Sequence, residues 1–96
     1  MSSGPRHLLL IAFDYDGPQP SAAHDEVVRL IESAESYLRP MRALWLVETS
    51  EDVDDWTHKL MPLLTSVDRL LVLRVQGRVN GWLEGESWQY INSRNV

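Results

Sequence analysis

The sequence predicts a small single-domain α/β protein in which strands alternate with helices. Three observations carry that expectation. Three short apolar runs, His7 to Phe13, Ala43 to Val47 and Leu70 to Val75, have the length of buried strands. The stretches between them repeat apolar residues at spacings of three and four, the period of a helix buried on one side. The 96 residues suffice for one domain and leave no room for a second.

Residues 1–6 read as a flexible tail, and residues 7–96 as the domain. The first strand ends where Asp14 to Pro20 brings Asp, Gly and two Pro, the chemistry of a loop. Ser21 is a good N-cap for a first helix expected to reach about Leu38, with Asp25 and Glu26 at its positive end. Val27, Leu30, Ile31, Ala34, Tyr37 and Leu38 make its apolar face, Asp25–Arg29 and Glu35–Arg39 support it at i,i+4, and Pro40 stops it. Thr49 or Ser50 is expected to cap a second helix, with Val53, Trp56, Leu60, Leu63 and Leu64 turned inward and Pro62 loosening its last turn. Gly77 and Asn80-Gly81 signal turns after the third strand. Residues 82–91, rich in Trp and Tyr, read as an aromatic arm.

The three strands are apolar on both faces, so both faces of the sheet should be covered. Two helices cover one face. A second copy of the chain is the simplest cover for the other, with Trp82, Trp88 and Tyr90 as interface residues on an arm exchanged between copies. The competing arrangement is a monomer with helices on opposite faces.

Composition narrows the function classes. With no Cys, a disulfide framework and thiolate zinc sites are excluded. The longest early apolar run, Leu8 to Phe13, is too short for a signal core or a membrane span, so a cytoplasmic protein that meets no membrane is expected. The net charge of −5 counts against strong binding to nucleic acid, whose readers usually carry a positive stripe. There is no phosphate-binding Gly loop, no serine-hydrolase motif and no zinc spacing.

Four pieces of the chain carry a resemblance: LLIAFDYDGP from Leu9, RALWLVET from Arg42, SEDVDDW from Ser50 with the strand DRLLVLRV from Asp68, and NGWL from Asn80. In this order and spacing they resemble the SinR-like family, relatives of the CRISPR-associated Cas-two proteins and, more distantly, of VapD-type ribonucleases. The resemblance implies a ferredoxin-like βαββαβ fold paired sheet to sheet as a homodimer. It also implies a further short strand near Leu38 to Met41. With only one strand in that region the sheet would instead be a parallel βαβαβ.

The same resemblance makes Asp14 a metal residue, with Asp14 of two copies sharing one Mg²⁺ across the dimer axis. Such an ion would keep several waters and lower the pKa of one of them for attack on a phosphate. Asp16 would serve as a second ligand or base, and Tyr15 would stack on a base. The residues alone also fit a turn, because Asp16-Gly17-Pro18 is good turn chemistry. His24 and His58 read as surface residues. Glu51, Asp52, Asp54 and Asp55 read as a solvated helix start that complements the dipole. Trp45 and Trp56 read as core.

Three functions are therefore expected in order. The first is a non-catalytic, protein-binding homodimer, an adaptor or inhibitor in a defence or phage-related system. The second is a weak metal-dependent endonuclease acting on RNA or DNA through paired Asp14. The third is a nucleic-acid scaffold using Arg39, Arg42, Arg74 and Arg78, which would bind in a salt-sensitive way.

Overall fold

In the computed structural model, which describes residues 6–14 and 22–94, the chain runs β1 (His7–Asp14), α1 (Ala22–Ile31), β2 (Ser36–Met41), β3 (Leu44–Thr49), α2 (Val53–Leu60), a single 3₁₀ turn (Met61–Leu63), β4 (Arg69–Arg74) and α3 (Gly85–Arg94). The sheet order is β2-β3-β1-β4, and every neighbouring pair is antiparallel. This is the ferredoxin-like βαββαβ topology with an added C-terminal helix. The antiparallel pairings exclude the parallel βαβαβ alternative.

Local chemistry fixes each boundary. The first helix ends at Ile31, a full two turns earlier than the side-chain spacing suggests. The hydroxyl of Ser33 donates to the Leu30 carbonyl at 2.6 Å, and the amides of Ser33 and Ala34 bond back three residues, closing the helix. Tyr37 and Leu38 then belong to β2, the short strand implied near Leu38 to Met41. Pro40 is a strand residue there and not a helix stop. It sits on an edge strand, at a register shift between Leu38 and Met41, where a missing N–H costs no ladder bond. Ending α1 early also changes its ion pairs. Arg29 binds Glu26 at 3.0 Å, Glu35 binds Arg6 at 3.2 Å, and Arg39 lies over the Trp45 ring at 4.3 Å.

Asp52, and neither Thr49 nor Ser50, caps α2. Its carboxylate accepts from the Val53 amide at 2.8 Å, and the Asp55 carboxylate accepts in return from the Asp52 amide at 3.0 Å. Thr49 Oγ1 instead accepts from the Glu51 amide at 3.1 Å, holding the chain just upstream. Gly77, at φ of 71°, occupies the left-handed region that a side chain disfavours, in the segment that leaves β4.

Alternation along the strands sorts the core into two layers. On one face Leu9, Ile11, Phe13, Trp45 and Val47 meet Val27 and Ile31 of α1 and Trp56 and Leu60 of α2. Trp45 and Trp56 are buried there, and the Trp45 indole donates to Glu32 at 3.1 Å. On the other face Leu8 and Leu46 pack against Ile91 of α3, with Leu10, Leu38, Leu44, Trp88 and Tyr90 around them.

Residues 82–91, read from the sequence as an aromatic arm, lead into α3 from Gly85. The chain folds back as a helix onto its own sheet. Tyr90 Oη lies 2.9 Å from Ser36 Oγ, and Arg94 Nε donates to Glu48 at 3.0 Å, which ties α3 across β2 and β3. The second face is thus covered in part by the same chain. The β4 side of that face stays open.

Candidate functional site

The open half of the second face follows from β4 being the last strand of the sheet. Residues opposite one another in β1 and β4 share a face, so Leu71 opposite Ala12 and Leu73 opposite Leu10 point to the α3 side. Yet α3 does not reach them: Leu71 is 57% and Leu73 39% exposed. Between them and α3 runs a groove of about 350 Å³, lined by Leu10, Met41, Leu44, Leu73, Val79 and Leu83. Met41 is 52% exposed at its rim. Isolated exposed apolar residues are ordinary, but a run of them along one sheet face marks a contact surface.

The backbone of β4 is open as well. The Val75 amide donates to the Leu8 carbonyl at 2.8 Å, so Val75, and by alternation Leu73, Leu71 and Arg69, turn their peptide groups toward β1. The N–H and C=O groups of Leu70, Val72 and Arg74 therefore face away from the sheet. A strand edge of this kind is a template for another strand. Arg69 and Arg74 at its two ends are the charges that blunt it.

The aromatic interface candidates separate. Trp88 and Tyr90 lie on α3 and pack on the chain's own sheet. Arg94 stacks on the Tyr90 ring at 3.8 Å. Burial raises the Tyr90 phenol above its ordinary value, against the hydrogen bond with Ser36 and the charge of Arg94, which lower it. Trp82 stands apart at 99% exposed, on the segment between β4 and α3.

Asp14 is the exposed last residue of β1, directly opposite Arg69 of β4. It borders a shallow cleft of about 170 Å³ shared with Ala12, Ala43, Arg69 and Leu71. Asp16 and Tyr15 lie outside the described residues. Among the described residues no group of three His, Asp or Glu side chains is placed to hold a metal ion. The acidic run does structural work at the start of α2: Asp52 and Asp55 form the cap, and Glu51 pairs with Lys59. His58 is exposed, with Nδ1 3.1 Å from the Asp54 carbonyl. His24 is only half-buried and stacks on Phe13 with ring centroids 5.5 Å apart, which ties the start of α1 to the end of β1.

The four basic candidates are not gathered into one stripe. Arg39 and Arg74 lie on opposite edge strands, three strand spacings or about 14 Å apart. Arg39 is engaged with the Arg42 carbonyl at 3.0 Å and with Trp45. Arg42 sits in the β2–β3 turn, and Arg78 in the segment after β4. Instead Arg74 joins Arg6, His7 and Arg94 around a small pocket. Spacing along the chain gives no hint of that group, because it needs the antiparallel pairing of β1 with β4 and the return of α3.

No helix among the described residues is long and apolar enough to cross a membrane. Comparison with known proteins finds no family model, no curated protein and no solved structure that matches this chain.

Proposed function

We propose that this chain is a non-catalytic homodimeric binding protein, of the Cas-two-like type that its motifs resemble, acting as an adaptor or inhibitor in a defence or phage-related system. The observation that carries the dimer is the open edge of β4 with Leu71 and Leu73 exposed beside it. Two β4 strands running antiparallel about Leu71 are self-complementary. The outward peptide groups of Leu70 meet those of Val72 in the second copy, Leu71 meets Leu71, and Asp68 comes opposite Arg74. The Leu71 and Leu73 side chains of both copies then form one apolar strip on a continuous sheet. Trp82, exposed and aromatic, is the contact offered to a protein partner, because Trp is enriched among binding hot spots.

Amide hydrogen exchange tests the pairing. The amides of Leu70, Val72 and Arg74 face away from β1 and should become protected as protein concentration rises, while those of Leu71 and Leu73 stay protected throughout. Free exchange of the first three at every concentration would remove the dimer from the reading.

A second reading rests on Asp14, exposed at the end of β1 beside a cleft. In a metal-dependent endonuclease, Asp14 of two copies would share Mg²⁺. Calorimetric titration of Mg²⁺ and Mn²⁺, with cleavage of labelled RNA and DNA in the same samples, decides it. Binding and cleavage that vanish together in Asp14→Ala would support the nuclease. A folded protein that neither binds nor cuts leaves Asp14 as a strand-end residue.

A further inference from the structure

We infer that the pocket where β1 begins and β4 and α3 end is a binding site for a phosphate group. Its volume is about 160 Å³, and it is lined by Arg6, His7, Arg74, Gln76 and Arg94 with two apolar residues and no carboxylate. That is roughly the space of five waters at ~30 Å³ each, enough for one phosphate. In a chain of net charge −5, three of the nine Lys and Arg side chains converge on this one cavity.

The carboxylates that accompany these arginines do not line the cavity; they hold the arginines from outside it. Glu35 takes Nε of Arg6 at 3.2 Å, Glu48 takes Nε of Arg94 at 3.0 Å, and Asp52 takes Nη2 of Arg74 at 3.0 Å. The Arg94 guanidinium is further fixed by stacking on Tyr90. His7 Nε2 lies 3.0 Å from the same Arg74 Nη2 and accepts from it. Among the described residues, Nη2 of Arg6, Nη1 of Arg74 and Nη2 of Arg94 carry no hydrogen bond. Arg94 is held at Nε and Nη1 and Arg74 at Nη2 alone, the buried Arg74 Nε having no partner among the described residues; guanidinium donors left over on side chains held in this way are preorganised for an oxyanion.

The number of arginines selects the ligand class. A planar carboxylate is satisfied by one guanidinium fork, whereas a tetrahedral phosphate presents oxygens in several directions and carries up to two charges. The competing account is a closed ion-pair network whose charges are already neutralised by Glu35, Glu48 and Asp52. That account predicts no response to phosphate. The site is built by a single copy of the chain, and Arg6 and Arg94, which its test reads, lie away from the β4 edge.

The test titrates inorganic phosphate against chloride at constant ionic strength, reading the arginine Nε–H signals by NMR and the thermal midpoint. Saturable shifts of Arg6 and Arg94 are expected, with affinity at least tenfold weaker in Arg6→Gln and in Arg94→Gln and unchanged in Arg29→Gln. Arg6 and Arg29 are exposed, so their variants keep the fold even if Arg94→Gln does not. A parallel arm compares 5′-phosphorylated and unphosphorylated dithymidine. Tenfold tighter binding of the phosphorylated form than of inorganic phosphate would place the phosphate on a larger ligand; equal affinity would make the free anion the ligand. A response no greater than that to chloride, or Arg6→Gln binding phosphate as the wild type does, would overturn the site.

Discussion

Trp45 and Trp56 show what a single side chain contributes here. Both are buried on the α1–α2 side of the sheet, and both were legible as core, Trp45 from its place in an apolar run and Trp56 from the apolar face of its helix. Trp45→Ala leaves a large cavity and strands Glu32 without its indole donor, so a loss of about 3–5 kcal/mol in urea unfolding is expected. Tyr90 gives a prediction at alkaline pH. Its folded value is raised by burial, so the folded state holds the phenolic proton above pH 10, where the unfolded chain has released it. Its contribution to stability is therefore complete below the unfolded value and is lost as pH rises through the folded one. Wild type should lose stability above about pH 10 more steeply than Tyr90→Phe. Parallel profiles for the two proteins would show that Tyr90 titrates as it does in the unfolded chain. The Arg6, Arg74 and Arg94 cluster was not legible, because residues 68 and 20 positions apart meet only through strand pairing and the return of α3.

At the scale of elements, three strands and the helices α1 and α2 could be read from apolar runs and apolar period, and the errors in them have local causes. The spacing of Ala34, Tyr37 and Leu38 fits a helix as well as it fits the start of an edge strand, and only the Ser33 closure decides between them. Residues 82–91 lack the strict alternation of a strand, and from Gly85 they enter α3, whose Trp88 and Ile91 fall on one side and, with Leu83 just before the helix, cover Leu8 and Leu46. The α2 cap can be probed by separating its two jobs, since Asp52 both caps the helix and binds Arg74 at 3.0 Å. Asp52→Ala should cost about 1 kcal/mol in chemical denaturation, whereas Asp52→Asn, which keeps the cap acceptor, should cost only a few tenths. Equal losses in the two variants would move the weight from the cap to the ion pair. Gly77→Ala should cost roughly 1 kcal/mol through its left-handed backbone.

At the scale of the whole molecule, a sheet apolar on both faces needs cover on both, and the chain supplies it unevenly. Helices α1 and α2 close one face, while α3 closes the β2–β3 side of the other and leaves Leu71 and Leu73 exposed on β4. The expectation of a second copy thus narrows from a whole face to one strand edge. What the sequence alone could not weigh was the cover that α3 provides. The dimer through β4 is the central claim, and sedimentation equilibrium of wild type beside Leu71→Glu/Leu73→Glu tests it most directly. Both leucines are surface residues, so the double variant should stay folded, while like charges brought face to face at the strip should prevent pairing. The account predicts a concentration-dependent dimer for the wild type and a monomer for the variant. A wild type that stays monomeric at every concentration, or a variant that dimerises as well as the wild type, would contradict it.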